Sequence, residues 1–211
     1  MPTSGRRPAA LAILARRAEL GRGKTRLAAT VGPARALAIY RALLGLTAEA
    51  ARASGLPVTV FFDPAPGDLD VWPSPAFAHA TQPATPDLGA RISAALGVVL
   101  ADAPAGVVIG TDCPKLTGAR LAEAAAALAT HDAVLGPSSD GGFYLLGLRR
   151  LPPPLFEDVP WSTERVADAM RAAFRQNGWR WRELPVLRDI DTEEDWDAYR
   201  ATVPSAKHPT L

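Results

Sequence analysis

Three short acidic stretches and one basic loop carry the chemistry open to this sequence. In V-V-I-G-T-D-C-P, residues 107–114, Asp112 stands just past an apolar run that Pro114 prevents from continuing. A carboxylate at such a strand end can hold a hard cation against phosphate oxygens, because Mg²⁺ takes one or two carboxylates and fills its shell with water and phosphate. Asp112 also suits a turn or an N-cap. In G-P-S-S-D-G-G-F-Y-L-L-G, residues 136–147, Asp140 lies in a glycine-rich turn longer than a tight Asp-Gly hairpin requires. Glycines let backbone approach a ligand closely, which makes Asp140 a candidate for a sugar hydroxyl, an acceptor or a metal-bound water. In R-D-I-D-T-E-E-D-W, residues 188–196, Asp189 and Asp191 are two apart and face one side of an extended segment. Glu193, Glu194 and Asp195 are explained by a helix that Thr192 caps, but a cap does not require two acids before it. Paired carboxylates opposite Asp112 complete a metal site.

The basic stretch L-G-R-G-K-T-R-L, residues 20–27, has the look of a phosphate-binding loop. A Walker loop needs glycine at position 18, where this chain has Ala18, and a helix starting at the lysine, which Gly32-Pro33 would end within two turns. The Walker reading is therefore rejected, although residues 107–112 could imitate its acidic partner strand. Arg16, Arg17, Arg22, Lys24 and Arg26 remain as a cation cluster flanked by Gly21 and Gly23. At the C-terminal end of a strand such a loop suits a diphosphate or triphosphate. Cys113 has no histidine near it in sequence and reads as packing, not as a nucleophile.

The elements that must position these residues follow from the apolar spacing. Ala9–Ala15, Pro57–Phe62, Gly106–Gly110 and Ala133–Gly136 are short continuous apolar runs, the pattern of strands buried on both faces. Helical spacing covers 33–54, 88–101, 119–129 and 164–176, with Asp87, Thr117 and Ser162 as N-caps, Gly55 as a stop and Asn177-Gly178 as a C-cap. Gly142–Leu148 follows the fourth run with no helix between, so an antiparallel strand is expected there, and Trp179–Leu187 reads as a further strand. The alternation predicts an α/β fold, a three-layer α/β/α sandwich around a mostly parallel, mixed sheet. We expect one domain over 9–203, with disordered tails at 1–8 and 204–211.

Lys+Arg of 23 against Asp+Glu of 22 excludes a broad cationic face for nucleic acid. The apolar run near the N-terminus ends at Arg16-Arg17, and nothing approaches the roughly 20 apolar residues of a membrane span. A single cysteine among 211 residues agrees with a cytoplasmic protein that needs no disulfide. Sequence leaves the oligomeric state open.

Six motifs in register, Gly21–Leu27, Asp87–Arg91, Gly110–Pro114, Pro137–Gly147, Pro160–Thr163 and Asp189–Trp196, resemble those of small bacterial GT-A-fold glycosyltransferase-like proteins, some assigned to arsenosugar biosynthesis beside radical-SAM partners. More distantly the chain is similar to the nucleotidyltransferases of molybdenum-cofactor dinucleotides and of 2-phospholactate. The resemblance implies a GT-A, nucleotide-diphospho-sugar transferase type of fold, with a nucleotide or nucleotide-sugar donor and a small-molecule acceptor. It implies that Lys24 and Arg26 contact nucleotide phosphates, that Asp112 and Asp191 hold Mg²⁺ or Mn²⁺, and that Asp140 contacts donor or acceptor. Gly21, Gly23, Arg91 and Thr111 lie within these motifs and join the candidate nucleotide contacts, Asp189 joins the metal candidates, and Asp112 and Asp140 are the catalytic candidates. The opening loop departs from the family pattern, with Ala18 and Leu20 in place of prolines and Gly23 in place of an apolar residue. Three functions are compatible with these parts: a glycosyltransferase, a nucleotidyltransferase releasing pyrophosphate, and a non-catalytic nucleotide-binding partner. Of the five tryptophans, only Trp161, in P-W-S-T, is expected near a ligand.

Overall fold

The computed structural model describes residues 9–63 and 70–203; both expected tails lie outside the described residues. The strands are β1 (Ala10–Arg16), β2 (Val58–Asp63), β3 (Ala78–Thr81), β4 (Gly106–Ile109), β5 (Ala133–Pro137), β6 (Phe143–Leu148) and β7 (Trp181–Glu183). The helices are α1 (Thr25–Val31), α2 (Pro33–Ser54), α3 (Leu88–Asp102), α4 (Gly118–Ala127), α5 (Val166–Gln176) and α6 (Glu193–Ala201). The strands form one sheet in the order β3-β2-β1-β4-β6-β5-β7. All its ladders are parallel except those of β6, which runs antiparallel to both β4 and β5.

Period-2 alternation sorts each strand between two helical layers. Leu11 and Ile13 of β1 and Val107 and Ile109 of β4 pack with Leu44, Ala48 and Ala51 of α2 and Leu121 of α4. Their neighbours Ala10, Ala12 and Val108 face the other way, against Ile92 and Leu96 of α3 and Met170 and Phe174 of α5. A third cluster joins Leu27 of α1, Ile39 and Leu43 of α2, and Trp196 and Tyr199 of α6, with Ile190 buried among them. At about 25 cal/mol per Å², one fully buried side chain of this size contributes on the order of 2 kcal/mol, so Ile190 firmly anchors the segment carrying Asp189 and Asp191.

Asp87 and Thr117 cap their helices as expected, accepting from Gly89 N and Arg120 N. Thr192 forms a full capping box with Asp195 at the head of α6. Ser162 does not cap α5: Arg165 stands at the N-cap position without a side-chain cap bond, while Ser162 itself adopts φ 63° in the preceding loop. The strand expected over 179–187 shrinks to three residues, because Pro185 has no N–H for a ladder and Trp179 turns into the core beside Phe174. Strand β3 had no apolar run to announce it. Helix α1 does begin right after Lys24, and Gly32 ends it after seven residues. Among the described residues, no helix is long and apolar enough to cross a membrane.

Candidate active site

Topology brings the acidic stretches together. Strands β4, β5 and β7 are mutually parallel, so the segment after β4, the β5–β6 turn and the segment after β7 all emerge at one edge of the sheet. There they line a cavity of about 590 Å³ with the loop that follows β1. Hydrogen bonds fasten the three segments: Ile190 N donates to Asp112 O at 2.9 Å, and Ser139 N donates to Leu187 O at 2.9 Å. A register shift at Gly136/Pro137 breaks the β5–β6 ladder just before the turn, an irregularity of the kind that re-aims side chains.

The basic loop enters the same cavity through backbone that most residues avoid. Gly21 and Gly23 have φ 77° and 72°, and Lys24 follows at φ 45°. That bend carries the Lys24 side chain inward, where only 7% of it remains accessible. Its Nζ lies 2.8 Å from Asp112 Oδ1 and 3.7 Å from Asp191 Oδ1, and donates to the Ile190 carbonyl. Arg26, largely exposed, meets the other Asp191 oxygen at 3.3 Å. Gly23, Lys24, Arg26, Arg91, Thr111, Asp112, Asp140, Asp189 and Asp191 all line the cavity. Gly21 does not; it lines a small crevice behind Lys24.

Within this set the individual environments differ. Asp140 Oδ1 accepts from Gly142 N at 2.9 Å and from the Ser138 hydroxyl, which fixes the carboxylate at the tip of its turn. Asp189 is half-buried, and its enclosed Oδ1 has no partner. Burial first, then the charges of Asp112, Asp140 and Asp191, push its carboxyl up to about 7, with Lys24 opposing them. Thr111, expected on the nucleotide, lies under the cavity within 3.5 Å of the Tyr40 hydroxyl, which also bridges Arg16 N and O. Burial raises that phenol to about 12. Arg91 is held by Asp63 at 2.7 Å and by Thr85 O at 2.6 Å, so its guanidinium is partly committed. Burial and the Asp189 charge push the Cys113 thiol up to about 12, which supports its reading as packing.

Gln82 and Phe143 are among the lining residues that escaped sequence reasoning. Gln82 is buried where β3 ends, and its amide nitrogen donates to Ala15 O at 3.0 Å and Phe61 O at 2.9 Å across two neighbouring strands. No motif contains it, and its position depends on the unannounced β3. Phe143 forms an edge contact with Trp161, which also packs on Phe156, so the P-W-S-T tryptophan is one wall of an aromatic corner. Gly89 makes room for it: a Cβ there would lie 3.0 Å from Trp161 Nε1.

The carboxylates meet the donor requirements of a divalent cation in part. Asp112 and Asp191 straddle a single point, now held by an ammonium, and the Asp189 Oδ1 beside them is buried without a partner. Among the described residues no group of three or more His, Cys, Asp or Glu is arranged as a metal cage. Two carboxylates with shared ligation by phosphate and water suit Mg²⁺ or Mn²⁺, whereas a fully protein-enclosed ion is excluded by this donor set.

Residues 46–163 match the model of a family described as an uncharacterized protein conserved in bacteria, DUF2064. The chain belongs to this family. No curated protein sequence matches it. Among solved structures, it is 27% identical to a protein of Desulfovibrio desulfuricans G20 named, provisionally, as a nucleotide-diphospho-sugar transferase, covering 94% of this chain and 89% of that one at TM-score 0.84. A Mycobacterium tuberculosis H37Rv protein solved in complex with manganese shares 16% identity over 92% of this chain and 100% of its own, at TM-score 0.53. The 4-diphosphocytidyl-2C-methyl-D-erythritol synthase of Anaerococcus prevotii DSM 20548 shares 12% identity over 92% and 96%, at TM-score 0.58. The fold of this DUF2064 member is thus that of the nucleotide-diphospho-sugar transferases.

Proposed function

We propose that the protein is a Mg²⁺- or Mn²⁺-dependent transferase acting on a nucleotide-bound donor, a nucleotide-diphospho-sugar glycosyltransferase with a small-molecule acceptor. The observation that carries this reading is the convergence of Lys24 and Arg26 with Asp112 and Asp191 at one edge of the sheet. Asp112 and Asp191 would hold the cation, with Asp189 behind them. When bound, the cation supplies Lewis-acid neutralisation of the phosphate charge.

The chain's own groups supply the rest. Arg26 and Lys24 offset the negative charge that builds on the departing diphosphate, and that stabilisation is strongest in a cavity from which water is excluded. The Asp140 oxygen not tied to Ser138 and Gly142 positions the acceptor hydroxyl and takes its proton. The Phe143–Trp161 corner gives an apolar wall against which a sugar or base ring can rest. Asp112→Asn, or EDTA treatment, is expected to cut turnover by at least about a hundredfold, the scale of losing one charge-stabilising group. Turnover unchanged by both would overturn the metal-assisted reading.

A second reading, nucleotidyl transfer from a nucleoside triphosphate, is favoured by one further observation: Arg16 lines the cavity with Lys24 and Arg26, besides the partly committed Arg91, so a third phosphate would also meet a cation. Incubation with acceptor candidates separates the two, since glycosyl transfer releases nucleoside diphosphate and nucleotidyl transfer releases pyrophosphate.

A further inference from the structure

We propose that Lys24 is the resident counter-ion of the Asp112–Asp191 pair and is exchanged for the divalent cation, so that metal enters the site with a diphosphate chain and not before it. This inference rests on the nucleotide-donor reading and concerns how that site is loaded.

Both carboxylates lie within 4 Å of the same nitrogen, at 2.8 Å and 3.7 Å. Such a convergence of like charges requires a cation between them, and Lys24 is that cation. The ammonium donates to the Ile190 carbonyl and is ion-paired with one oxygen of each carboxylate, so its charge is met from three sides. At 7% accessibility against 47% for Asp112 and 41% for Asp191, the ammonium is the buried member of the group and is not a solvated surface partner. A divalent ion cannot share that point with an ammonium: the repulsion would cancel what the carboxylates offer. Metal alone therefore has to break two ion pairs and expel a buried charge.

A phosphate chain changes the balance, because it gives the ammonium somewhere to go. Arg26 and Arg16 line the same cavity and mark where anionic oxygens would sit. Lys24 sits at φ 45° directly after Gly23 at φ 72°, a left-handed backbone disfavoured for a lysine that surrounding contacts must hold. When the ammonium leaves the carboxylates, both oxygens pass to the incoming ion. Arg26, 78% exposed and bound to the outer Asp191 oxygen, needs no such displacement.

The test titrates Mn²⁺ into the protein and reads free Mn²⁺ by its paramagnetic resonance signal, with and without inorganic pyrophosphate, each against a protein-free titration because pyrophosphate itself complexes Mn²⁺. Wild type, Lys24→Met and Lys24→Gln are compared after circular dichroism melts establish that each is folded. Expected is weak binding of Mn²⁺ alone by wild type, tightened by pyrophosphate. At least tenfold tighter binding of Mn²⁺ alone is expected in both variants, and the gain should vanish when Asp112→Asn is added. Equal Mn²⁺ affinities for wild type and both variants would overturn the exchange; if pyrophosphate still tightened wild-type binding, the nucleotide-donor reading would stand without it. A tenfold gain in the variants with no effect of pyrophosphate on wild type would leave Lys24 as counter-ion but overturn the joint entry of metal and diphosphate, and with it the nucleotide-donor reading.

Discussion

Gly141→Ala should lower stability far more than Gly178→Ala, although both glycines have positive φ, 85° and 65°. A side chain in the left-handed region costs about 1 kcal/mol at either site. At Gly178 the added Cβ meets nothing within 4 Å, so that cost is the whole effect. At Gly141 it would lie 2.0 Å from the Glu164 carbonyl oxygen and 2.5 Å from the Glu164 C and Cα. Those are backbone atoms, which no change of rotamer can move. Separating the β5–β6 turn from the 162–164 loop also loosens the bond from Ala167 N to Gly141 O, now 2.9 Å. Overpacking of this kind adds roughly 2 kcal/mol, for a total of about 3 kcal/mol. At 2–4 °C per kcal/mol for a chain of this size, the midpoint should fall by about 6–12 °C for Gly141→Ala and about 2–4 °C for Gly178→Ala. Thermal melts followed by circular dichroism check both values. Because Asp140 precedes Gly141, turnover with donor and acceptor should also fall in Gly141→Ala and persist in Gly178→Ala. Equal losses for the two variants would refute the close approach of these loops and the placement of Asp140 that depends on it.

Glu183 and Arg171 form a two-pronged pair, both bonds 2.8 Å, tying β7 to α5. The Arg171 hydrogen bonds are the first cause holding the Glu183 carboxyl below its ordinary value. Its stabilisation is therefore present above the unfolded carboxylate pKa and is lost as pH falls through the lower folded value; about a third of the side chain is exposed, which limits it to less than about 1 kcal/mol. Urea melts of Glu183→Gln should show a deficit at pH 7 that closes below about pH 4. Cys113, with its thiol raised from 9.0 to about 12, should react with iodoacetamide at pH 8 at least about a hundredfold more slowly in the native protein than in urea; equal rates would contradict its burial. Gln82→Leu strips Ala15 O and Phe61 O of their donor and should cost about 2 kcal/mol. Gln82→Glu should cost more, since its carboxylate faces both carbonyls, and wild-type stability for Gln82→Glu at pH 7 would mean the amide bonds contribute nothing.

The sequence made legible whatever is local. Continuous apolar runs announced β1, β2, β4 and β5, and the missing helix before Phe143 announced the antiparallel β6. Side-chain caps at Asp87, Thr117 and Thr192 form through bonds to backbone two or three residues away, which is why they could be read directly. What stayed hidden depends on distant partners. The sequence Ala78–Thr81 pairs only because Thr59–Phe62 offers an edge. The alternation argument put Asp189 and Asp191 on one side, yet it could not tell that one would keep an enclosed oxygen without a partner and the other would pair with Lys24 and Arg26. Lys24 was expected to face phosphates; that it reaches back to Asp112 follows from a left-handed turn that no spacing rule reveals.

The clasp around Ile190 has a consequence in time. Its N–H is held by Asp112 and its carbonyl by Lys24, so a single residue joins the first loop, the middle strand and the approach to the last helix. During synthesis the first partner is made some 166 residues before the last. Until that final stretch leaves the ribosome, Asp112 has lost neither its solvation nor its freedom, and Lys24 has only one carboxylate to meet. The centre is completed last, after most of the sheet can already pair, so premature termination before Ile190 would yield a chain able to fold in part yet without a site.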